Sequence, residues 1–343
     1  MALILVTGAS GRIGLSLVAD LVGKGHAVRA LTIPDDPRAG AVARAGAEVL
    51  TGSITDAATC DRSVEGVDAI YHLAGQLPQN ASDDAIFEIN VRGTWNLMKA
   101  ASARASALRV VVFASTDDVY SSVDPLYVPV DENHPRRPVS TYGLSKVMGE
   151  EIGKFWHVRH SLPFSMARFG LTQLAHEVLD GITAPSFLLS ARVKNLREQA
   201  ATDASAAAQL APLERVLESR GEHAIALRDE QGEPWILQLC EVSDLVTGLA
   251  LYLDRPAAIG ESFNMAAASP FATDVAAAHL AKLAGIEVLD VRVPGPRLVI
   301  NESIAKARSV LGYDPKLSIT DILDRAVAEV GAGRVRNGGR NGG

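Results

Sequence analysis

Residues 3–14 read LILVTGASGRIG, four apolar residues followed by a loop with three glycines. The apolar run predicts a buried strand, and a glycine-rich loop between a strand and a helix is typical of dinucleotide-binding units. There Gly8 would make the tight turn, Gly11 would let the backbone approach a pyrophosphate, and Gly14 would allow close packing of the helix on the strand. The helix N-terminus would face the phosphates, and Arg12 would add a cation.

Further apolar segments of strand length follow, and segments with helical periodicity separate them. Several are too uniformly apolar to have a solvated face, which is typical of parallel strands covered by helices on both sides. The candidate strands are residues 3–6, 27–31, 48–50, 69–73, 110–114 and 164–168. This alternation predicts an α/β fold with a doubly wound parallel Rossmann sheet.

The alternation loses its regularity after Arg168, which indicates a second domain. We predict a Rossmann domain over residues 1–170, completed by about residues 235–266, and a smaller C-terminal substrate-binding domain over residues 171–234 and 267–330. Residues 331–343 are mainly Gly, Asn and Arg and have almost nothing to bury. This composition predicts a disordered tail.

The composition excludes several classes of protein. The chain has 343 residues, 48% of them hydrophobic, and a formal net charge of −7, so it is not a disordered protein. Without a basic block, neither nucleic acid nor a membrane surface is an expected partner. Two cysteines, Cys60 and Cys240, are too few for a disulfide framework. The sequence has no Cys/His pairs at ligand spacing, so we expect no metal site. The N-terminal apolar run ends too soon for a signal peptide, so we expect a cytoplasmic protein.

A tyrosine and a lysine stand at a spacing that a helix would bring onto one face. Tyr142 and Lys146 are four residues apart, a spacing that also fits an ordinary surface pair. Thr116 lies upstream at the end of an apolar strand, where the C-terminal edge of a parallel sheet presents catalytic groups. The acidic residues Asp117 and Asp118 follow it directly. Together these positions predict an active site.

Several ordered motifs resemble those of the extended short-chain dehydrogenase/reductase family, which includes nucleotide-sugar epimerases and dehydratases. They are the glycine loop, HLAG at residues 72–75, NVRGT at 90–94, STDDVY at 115–120, YGLSK at 142–146, VSD at 242–244, GESFN at 260–264 and KARSVLGYDP at 306–315. The resemblance implies catalysis by Thr116, Tyr142 and Lys146. It also implies a homodimer whose four-helix interface is built from the helices at residues 90–100 and 142–155.

The resemblance further implies NAD as the cofactor and a set of residues that contact it. Those residues are Gly8, Gly11, Arg12, Ile13, Gly14, Thr32, Ser53, Ile54, Leu73, Ala74, Gly75, Asn90, Tyr142, Lys146 and Phe169. Thr32 replaces the acidic residue expected for a free ribose 2′-hydroxyl, and Ile33 replaces the Arg of many NADP users, so NADP stays an alternative. For Asn90, a helix cap or an amide that ties the sheet is an equal interpretation.

The side chains suit the implied chemistry. A hydride leaves a carbon only as the attached oxygen loses its proton, so the site needs a group of tuned pKa near that oxygen. Tyr142 would be this base or acid. We expect the Lys146 cation to lower the pKa of the phenol and to hold the nicotinamide ribose, and the Thr116 hydroxyl to orient the substrate oxygen.

Asp117 and Asp118 leave the type of reaction open. The sequence STDDVY is similar to STDEVY of the sugar-nucleotide 4,6-dehydratases, where Asp117 would protonate a leaving hydroxyl and Asp118 would take a carbon proton. The two carboxylates also suit polar substrate binding or a turn cap. Against a nucleotide sugar, the Asn that usually follows the sixth strand is missing, and Leu237 stands where a diphosphate-binding Arg is common.

The primary prediction is therefore an NAD(P)-dependent oxidoreductase that interconverts a secondary alcohol and a ketone on a sugar-like or other polar small molecule. A sugar epimerase or dehydratase, which returns the hydride internally, is the alternative. A non-catalytic dinucleotide sensor is a remote alternative, because a sensor has no need of a Thr, Tyr and Lys in register.

Overall fold

The computed structural model describes residues 1–78, 81–121, 125–180, 186–201 and 204–336, and the chain divides into two units. The first unit comprises Met1–Gly170, Val242–Ala266 and Ser303–Pro315, and the second comprises Leu171–Glu241, Ala267–Glu302 and the residues from Lys316 onward. Residues 303–315, predicted in the smaller domain, thus belong to the first unit. Ser303 explains this, because its N–H donates to Val130 O (2.8 Å) and its carbonyl accepts from Asn264 Nδ2 (3.3 Å).

The two units together contain thirteen strands and thirteen α-helices among the described residues, and these alternate regularly in the first unit, as the sequence predicts. The strands are β1 (Leu3–Thr7), β2 (Ala27–Thr32), β3 (Glu48–Thr51), β4 (Ala69–His72), β5 (Val110–Thr116), β6 (Phe164–Phe169), β7 (Thr172–Gln173), β8 (His223–Arg228), β9 (Ile236–Leu237), β10 (Cys240–Glu241), β11 (Ser262–Met265), β12 (Phe271–Ala272) and β13 (Glu287–Arg292). The helices are α1 (Arg12–Gly23), α2 (Ala39–Arg44), α3 (Ala57–Ser63), α4 (Asp83–Ile86), α5 (Thr94–Ser102), α6 (Thr141–His160), α7 (Glu177–Asp180), α8 (Leu189–Gln199), α9 (Ala204–Arg220), α10 (Val242–Ala250), α11 (Thr273–Ala284), α12 (Ile319–Val330) and α13 (Ala332–Arg336). Two π-helical segments, Phe87–Gly93 and Ala307–Leu311, and several short 3₁₀ turns complete the described elements.

The first unit contains a seven-stranded sheet in the order β11-β6-β5-β4-β1-β2-β3, and its pairings are parallel. This confirms the predicted α/β fold with a parallel Rossmann sheet. Every residue of β5 is buried, as expected of a central strand with helices on both faces. Since all strands run the same way, the ends of β1, β4, β5 and β6 meet at one edge of the sheet.

Helix α6 lies unusually close to the sheet because two of its glycines face aromatic rings. A Cβ atom at Gly153 would stand 1.9 Å from Phe164 Cζ, and one at Gly149 would stand 2.4 Å from Phe113 Cζ. Both rings are buried in the core. The close approach fixes the distance between α6, which carries Tyr142 and Lys146, and the strand end that carries Thr116.

The second unit has its own apolar core, built around residues such as Phe187, Leu237, Leu280 and Leu323. Its strands form two-stranded sheets, β8 with β13, β7 with β10 and β9 with β12. Helix α13 buries Val335 in this core, so residues 332–336 are ordered where the sequence predicted a tail. The rest of the predicted tail, residues 337–343, lies outside the described residues. No helix in the described part of the chain is long and apolar enough to cross a membrane.

Candidate active site

The glycine loop forms a narrow turn between β1 and α1. Gly8 has a φ of +67°, and its carbonyl accepts a hydrogen bond from Gly11 N (3.0 Å). A Cβ atom at Gly8 would stand 2.7 Å from Ala74 N, and one at Gly14 would stand 2.1 Å from Gly8 O. Gly11 is the N-cap of α1 and has no side chain to occupy the first N–H groups, which therefore suit an anion. Arg12, followed by Ile13, is the first residue of that helix.

Thr32, at the end of β2, carries a buried hydroxyl that lacks a partner. Its side chain is 3% exposed, and Oγ1 makes no hydrogen bond with the described residues. A ribose hydroxyl would satisfy this oxygen, since buried polar atoms are normally paired. Ser53 Oγ instead bonds to Thr55 Oγ1 (2.8 Å). The Ile54 side chain packs in the core against Gly93, so the structure gives it a packing role.

Asn90 connects the loop after β4 to helix α6. Its Oδ1 accepts from Gln76 N (2.6 Å), and its Nδ2 donates to Gln76 O (3.0 Å) and to Ser145 Oγ (2.9 Å). These bonds favour the interpretation of Asn90 as a tie between elements. The loop itself begins with Leu73, whose N–H donates to Thr7 O (3.2 Å).

Gly75 leaves open space beside the lysine of the site. A Cβ atom there would stand 3.1 Å from Lys146 Nζ and 3.3 Å from Asn90 Oδ1. Lys146 is 4% exposed and donates to Ala114 O (2.8 Å), so its remaining N–H groups are available at this edge of the sheet. Phe169 pairs with Thr116 in the strand register and lies at the same edge.

The structure brings Thr116, Tyr142 and Lys146 together, with both aspartates beside them. Ser140 caps α6 by accepting from Gly143 N (2.9 Å), which places Tyr142 in the first turn and Lys146 one turn later. Lys146 Nζ lies 5.6 Å from the centroid of the Tyr142 ring. Thr116 Oγ1 donates to Asp117 Oδ1 (2.9 Å) and accepts from Asp118 N (3.2 Å). The predicted catalytic residues therefore form one cluster.

The pKa of Tyr142 departs from the prediction. Burial and the charges of Asp118 and Asp117 raise the pKa of the phenol, and a hydrogen bond with Thr116 opposes them. The net direction is upward, whereas the sequence predicted a lowering by Lys146. The prediction was wrong because it left out the cost of placing a half-buried phenolate beside two carboxylates. Burial also raises the pKa of Asp118.

Burial lowers the pKa of Lys146 from 10.5 to about 8, which makes stability depend on pH. The unfolded chain holds this proton more tightly than the folded chain does. The Lys146 ammonium therefore makes the free energy of unfolding increase as the pH rises from about 8 to about 10.5, by up to about 1.4 kcal/mol per pH unit. We expect urea unfolding of the ligand-free protein to show this rise, and the Lys146→Met variant to show a smaller one. Equal slopes for the two proteins would contradict the assignment.

Glu150, which was not among the residues predicted from the sequence, is fully buried one turn beyond Lys146. Its carboxylate binds Arg168 Nε and Nη2, each at 2.8 Å. The signal in the sequence was Arg168 itself, since a charged residue in an otherwise apolar buried strand requires a buried counter-charge.

Comparison with known proteins assigns the chain to a family. The chain matches the model of the NAD dependent epimerase/dehydratase family over residues 4–266. It is 32% identical over 189 residues to L-arabinose 1-dehydrogenase (NAD(P)(+)) of Haloferax volcanii, a match that covers 52% of this chain and 70% of that protein. It is 34% identical over 170 residues to a uronate dehydrogenase of Pseudomonas putida, covering 49% of this chain and 60% of that protein, less than two thirds of its length.

A solved structure extends the similarity to both units. A short-chain dehydrogenase/reductase superfamily protein from Agrobacterium tumefaciens, with bound NAD, superposes with a TM-score of 0.85 and 32% identity, over 95% of this chain and 96% of that chain. The fold and the site define a short-chain dehydrogenase/reductase of the extended type. The chain belongs to the NAD-dependent epimerase/dehydratase family, which confirms the predicted resemblance.

It follows that the chain is an enzyme and that NAD is its cofactor, as predicted. The residues present fit NAD. The loop and the start of α1 suit a pyrophosphate, the orphaned Thr32 hydroxyl suits a ribose, and Gly75 keeps space beside the Lys146 ammonium.

Proposed function

We propose that this enzyme is an NAD(P)-dependent dehydrogenase that oxidises a secondary alcohol of a free sugar or sugar acid to the carbonyl, and runs the reverse reduction. The observation that supports this best is the cluster of Thr116, Tyr142 and Lys146 at one edge of the sheet. NAD, when bound, supplies the hydride acceptor.

The side chains divide the proton chemistry among them. Tyr142 takes the proton of the substrate hydroxyl in oxidation and returns it in reduction. The Thr116 hydroxyl donates to Asp117 in the ligand-free protein and can turn to donate to the Tyr142 oxygen or to the substrate oxygen instead, which orients them. The raised pKa of Tyr142 keeps the phenol protonated at neutral pH, which suits the reduction, and oxidation should gain rate as pH rises.

The substrate class rests on two further observations. The curated relatives named above are dehydrogenases of L-arabinose and of a uronate. Leu237, at the place of a diphosphate-binding Arg, is fully buried in the core of the second unit and presents no charge. Both favour a sugar that carries no nucleotide.

The test is a panel of free aldoses, uronates and UDP-sugars, each incubated with the enzyme and NAD or NADP while absorbance is read at 340 nm. We expect net formation of reduced cofactor with one free sugar or uronate, and a preference for NAD. The proposal would be overturned if no free sugar or uronate gave reduced cofactor and a UDP-sugar was converted to product.

A second candidate is an epimerase or dehydratase, and the pKa of Asp118 favours it. Burial raises the pKa of the Asp118 carboxyl, and a raised pKa suits a proton donor, so Asp118 suits the role of acid better than Asp117, contrary to the assignment from sequence. Product formation without net change at 340 nm distinguishes this candidate from a dehydrogenase.

We also propose that a second copy of the chain covers the outer face of α5 and α6. Trp95 (39% exposed) stacks on Phe155 (45% exposed) with 6.0 Å between the ring centroids, and Val158 is 84% exposed. Glu151 and Lys154 place both signs of charge beside these side chains, as a self-complementary contact requires.

Light scattering coupled to size exclusion tests the homodimer. We expect a dimer for the wild-type protein and a folded monomer for Val158→Asp, because a carboxylate at the centre of an apolar contact is costly to bury. The exposed surface variant Val288→Asp, on β13, serves as the control and should stay dimeric. A wild-type monomer at micromolar concentration would contradict the proposal.

A further inference from the structure

A buried ion-pair network lies in the first unit next to the catalytic cluster. The Glu150 carboxylate is fully buried and accepts from Ser115 Oγ (2.7 Å) and Arg168 Nε (2.8 Å) on Oε1. On Oε2 it accepts from Arg168 Nη2 (2.8 Å) and Arg136 Nη1 (3.2 Å). Both oxygens thus carry two hydrogen bonds, and the contact with Arg168 is bidentate.

The three innermost members come from three elements that carry the site. Glu150 is one turn beyond Lys146 on α6, Ser115 immediately precedes Thr116 on β5, and Arg168 immediately precedes Phe169 on β6. Glu150 therefore connects the helix of the catalytic pair to the strand end of the catalytic threonine.

The network continues from Arg168 to the edge strand of the sheet. Arg168 Nη1 donates to Tyr120 Oη (2.7 Å), and Tyr120 Oη donates to Asn264 Oδ1 (2.8 Å) on β11. Asn264 in turn donates from Nδ2 to Val130 O (3.0 Å). The segment that follows Thr116, up to Tyr120, is thus held at both of its ends.

The charge state of the network is fixed. Burial alone would raise the pKa of Glu150, but the hydrogen bonds from Arg168 and Ser115 and the nearby Arg136 outweigh it, and the net pKa is lowered. A carboxylate buried in this way stabilises a single geometry, since a bidentate Arg contact specifies direction as well as distance.

We propose that Glu150 is a positioning residue of the reaction, which aligns the Thr116 hydroxyl with the Tyr142 phenol through Ser115 and Arg168. Thr116 and Tyr142 lie on different elements, so their alignment depends on a link between those elements. A misplacement of about 1 Å between reacting groups can cost about 100-fold in rate. This inference rests on the proposed function of Tyr142.

The alignment has a consequence for pH. The hydrogen bond with Thr116 is the contact that lowers the pKa of Tyr142 against burial and the two aspartates. A loss of alignment weakens that bond, so the pKa of the phenol should rise further. The alkaline limb of the oxidation rate should then move to higher pH, which a loss of stability alone would not produce.

Two variants test the link at different points. Glu150→Gln removes the charge, and Ser115→Ala removes only the hydrogen bond from β5 while the pair of Glu150 with Arg168 stays. The control is Glu151→Gln, the neighbouring glutamate, which is 52% exposed and contacts the same Arg136 (2.7 Å). All are assayed with the best substrate of the panel, after circular dichroism and an NAD thermal shift have shown that they fold.

We expect kcat to fall about 10- to 100-fold in Glu150→Gln and about 10-fold in Ser115→Ala, with the KM for NAD unchanged and the pH limb shifted upward. The double variant, Ser115→Ala with Glu150→Gln, should be no slower than Glu150→Gln alone, because the two changes break the same link. Glu151→Gln should match the wild type in kcat and pH profile.

A folded Ser115→Ala or Glu150→Gln with wild-type kcat and pH profile would overturn the proposal, and Ser115→Ala decides alone if Glu150→Gln does not fold. Tyr142→Phe in the same assay distinguishes a failure of the positioning role from a failure of the proposed function. If Tyr142→Phe is inactive while these variants are normal, only the positioning role fails. If Tyr142→Phe keeps full activity, the proposed function itself fails.

Discussion

Tyr142→Phe should bind NAD as tightly as the wild-type protein and lose about 10²- to 10⁴-fold in kcat, the range typical of a missing general acid or base. The phenyl ring keeps the packing of the first turn of α6 but has no proton to give or take. The measurement is kcat from absorbance at 340 nm, together with NADH affinity from its fluorescence.

A matched control exists in the same unit. Tyr252 is buried, and its hydroxyl makes no hydrogen bond with the described residues, so Tyr252→Phe removes an oxygen that contributes nothing to a network. We expect this variant to keep wild-type activity and at least wild-type stability. Full activity in Tyr142→Phe, or equal losses in both variants, would contradict the role of Tyr142.

Gly14→Ala should weaken NAD binding sharply, whereas Gly23→Ala in the same helix should not. A Cβ atom at Gly14 would stand 2.1 Å from Gly8 O and 2.9 Å from Ala9 Cα, and these backbone atoms can move only if the loop itself moves. Overpacking of this kind costs about 1–3 kcal/mol, which corresponds to roughly 5- to 150-fold in Kd.

Gly23 provides the comparison because a Cβ atom there would meet nothing within 4 Å. Alanine should stabilise the end of α1 by about 0.5–1 kcal/mol through its higher helix propensity, and leave NAD affinity unchanged. Calorimetric titration with NADH and urea unfolding give both quantities. Unchanged affinity in a folded Gly14→Ala would show that the loop does not hold the cofactor.

The sheet could be predicted from the sequence because its strands are coded locally. Residues 110–114 are apolar throughout, which only a strand covered on both faces explains, and the structure extends this strand to Thr116. The glycine loop was largely local as well, since Gly11 and Gly14 meet atoms only a few residues away, although Gly8 faces Ala74 in the loop after β4.

The electrostatics of the site could not be predicted in the same way. The sequence shows that Lys146 is four residues from Tyr142, but it does not show that Lys146 is buried and Tyr142 half-buried, or that the charges of Asp117 and Asp118 act on the phenol. Desolvation depends on the whole surrounding structure, and here it raises the pKa of Tyr142 and lowers that of Lys146.

Long-range contacts were the other limit. The pairs Glu150 with Arg168 and Ser115 with Glu150 join different elements, at separations of 18 and 35 positions, and nothing in the local pattern specifies such partners. Residues 303–315 were placed in the smaller domain for a similar reason, because Ser303 bonds to Val130, more than a hundred positions earlier, and to Asn264, 39 positions earlier.

Transfer of deuterium from the substrate to the cofactor is the direct test of whether this enzyme is a dehydrogenase. The substrate identified by the panel is labelled at the carbon that bears the reacting hydroxyl, and the reduced cofactor is analysed by mass spectrometry after turnover. We expect one deuterium in each reduced cofactor released, in equal amount to the oxidised sugar. Deuterium that stays in the sugar product, with no reduced cofactor released, would contradict it.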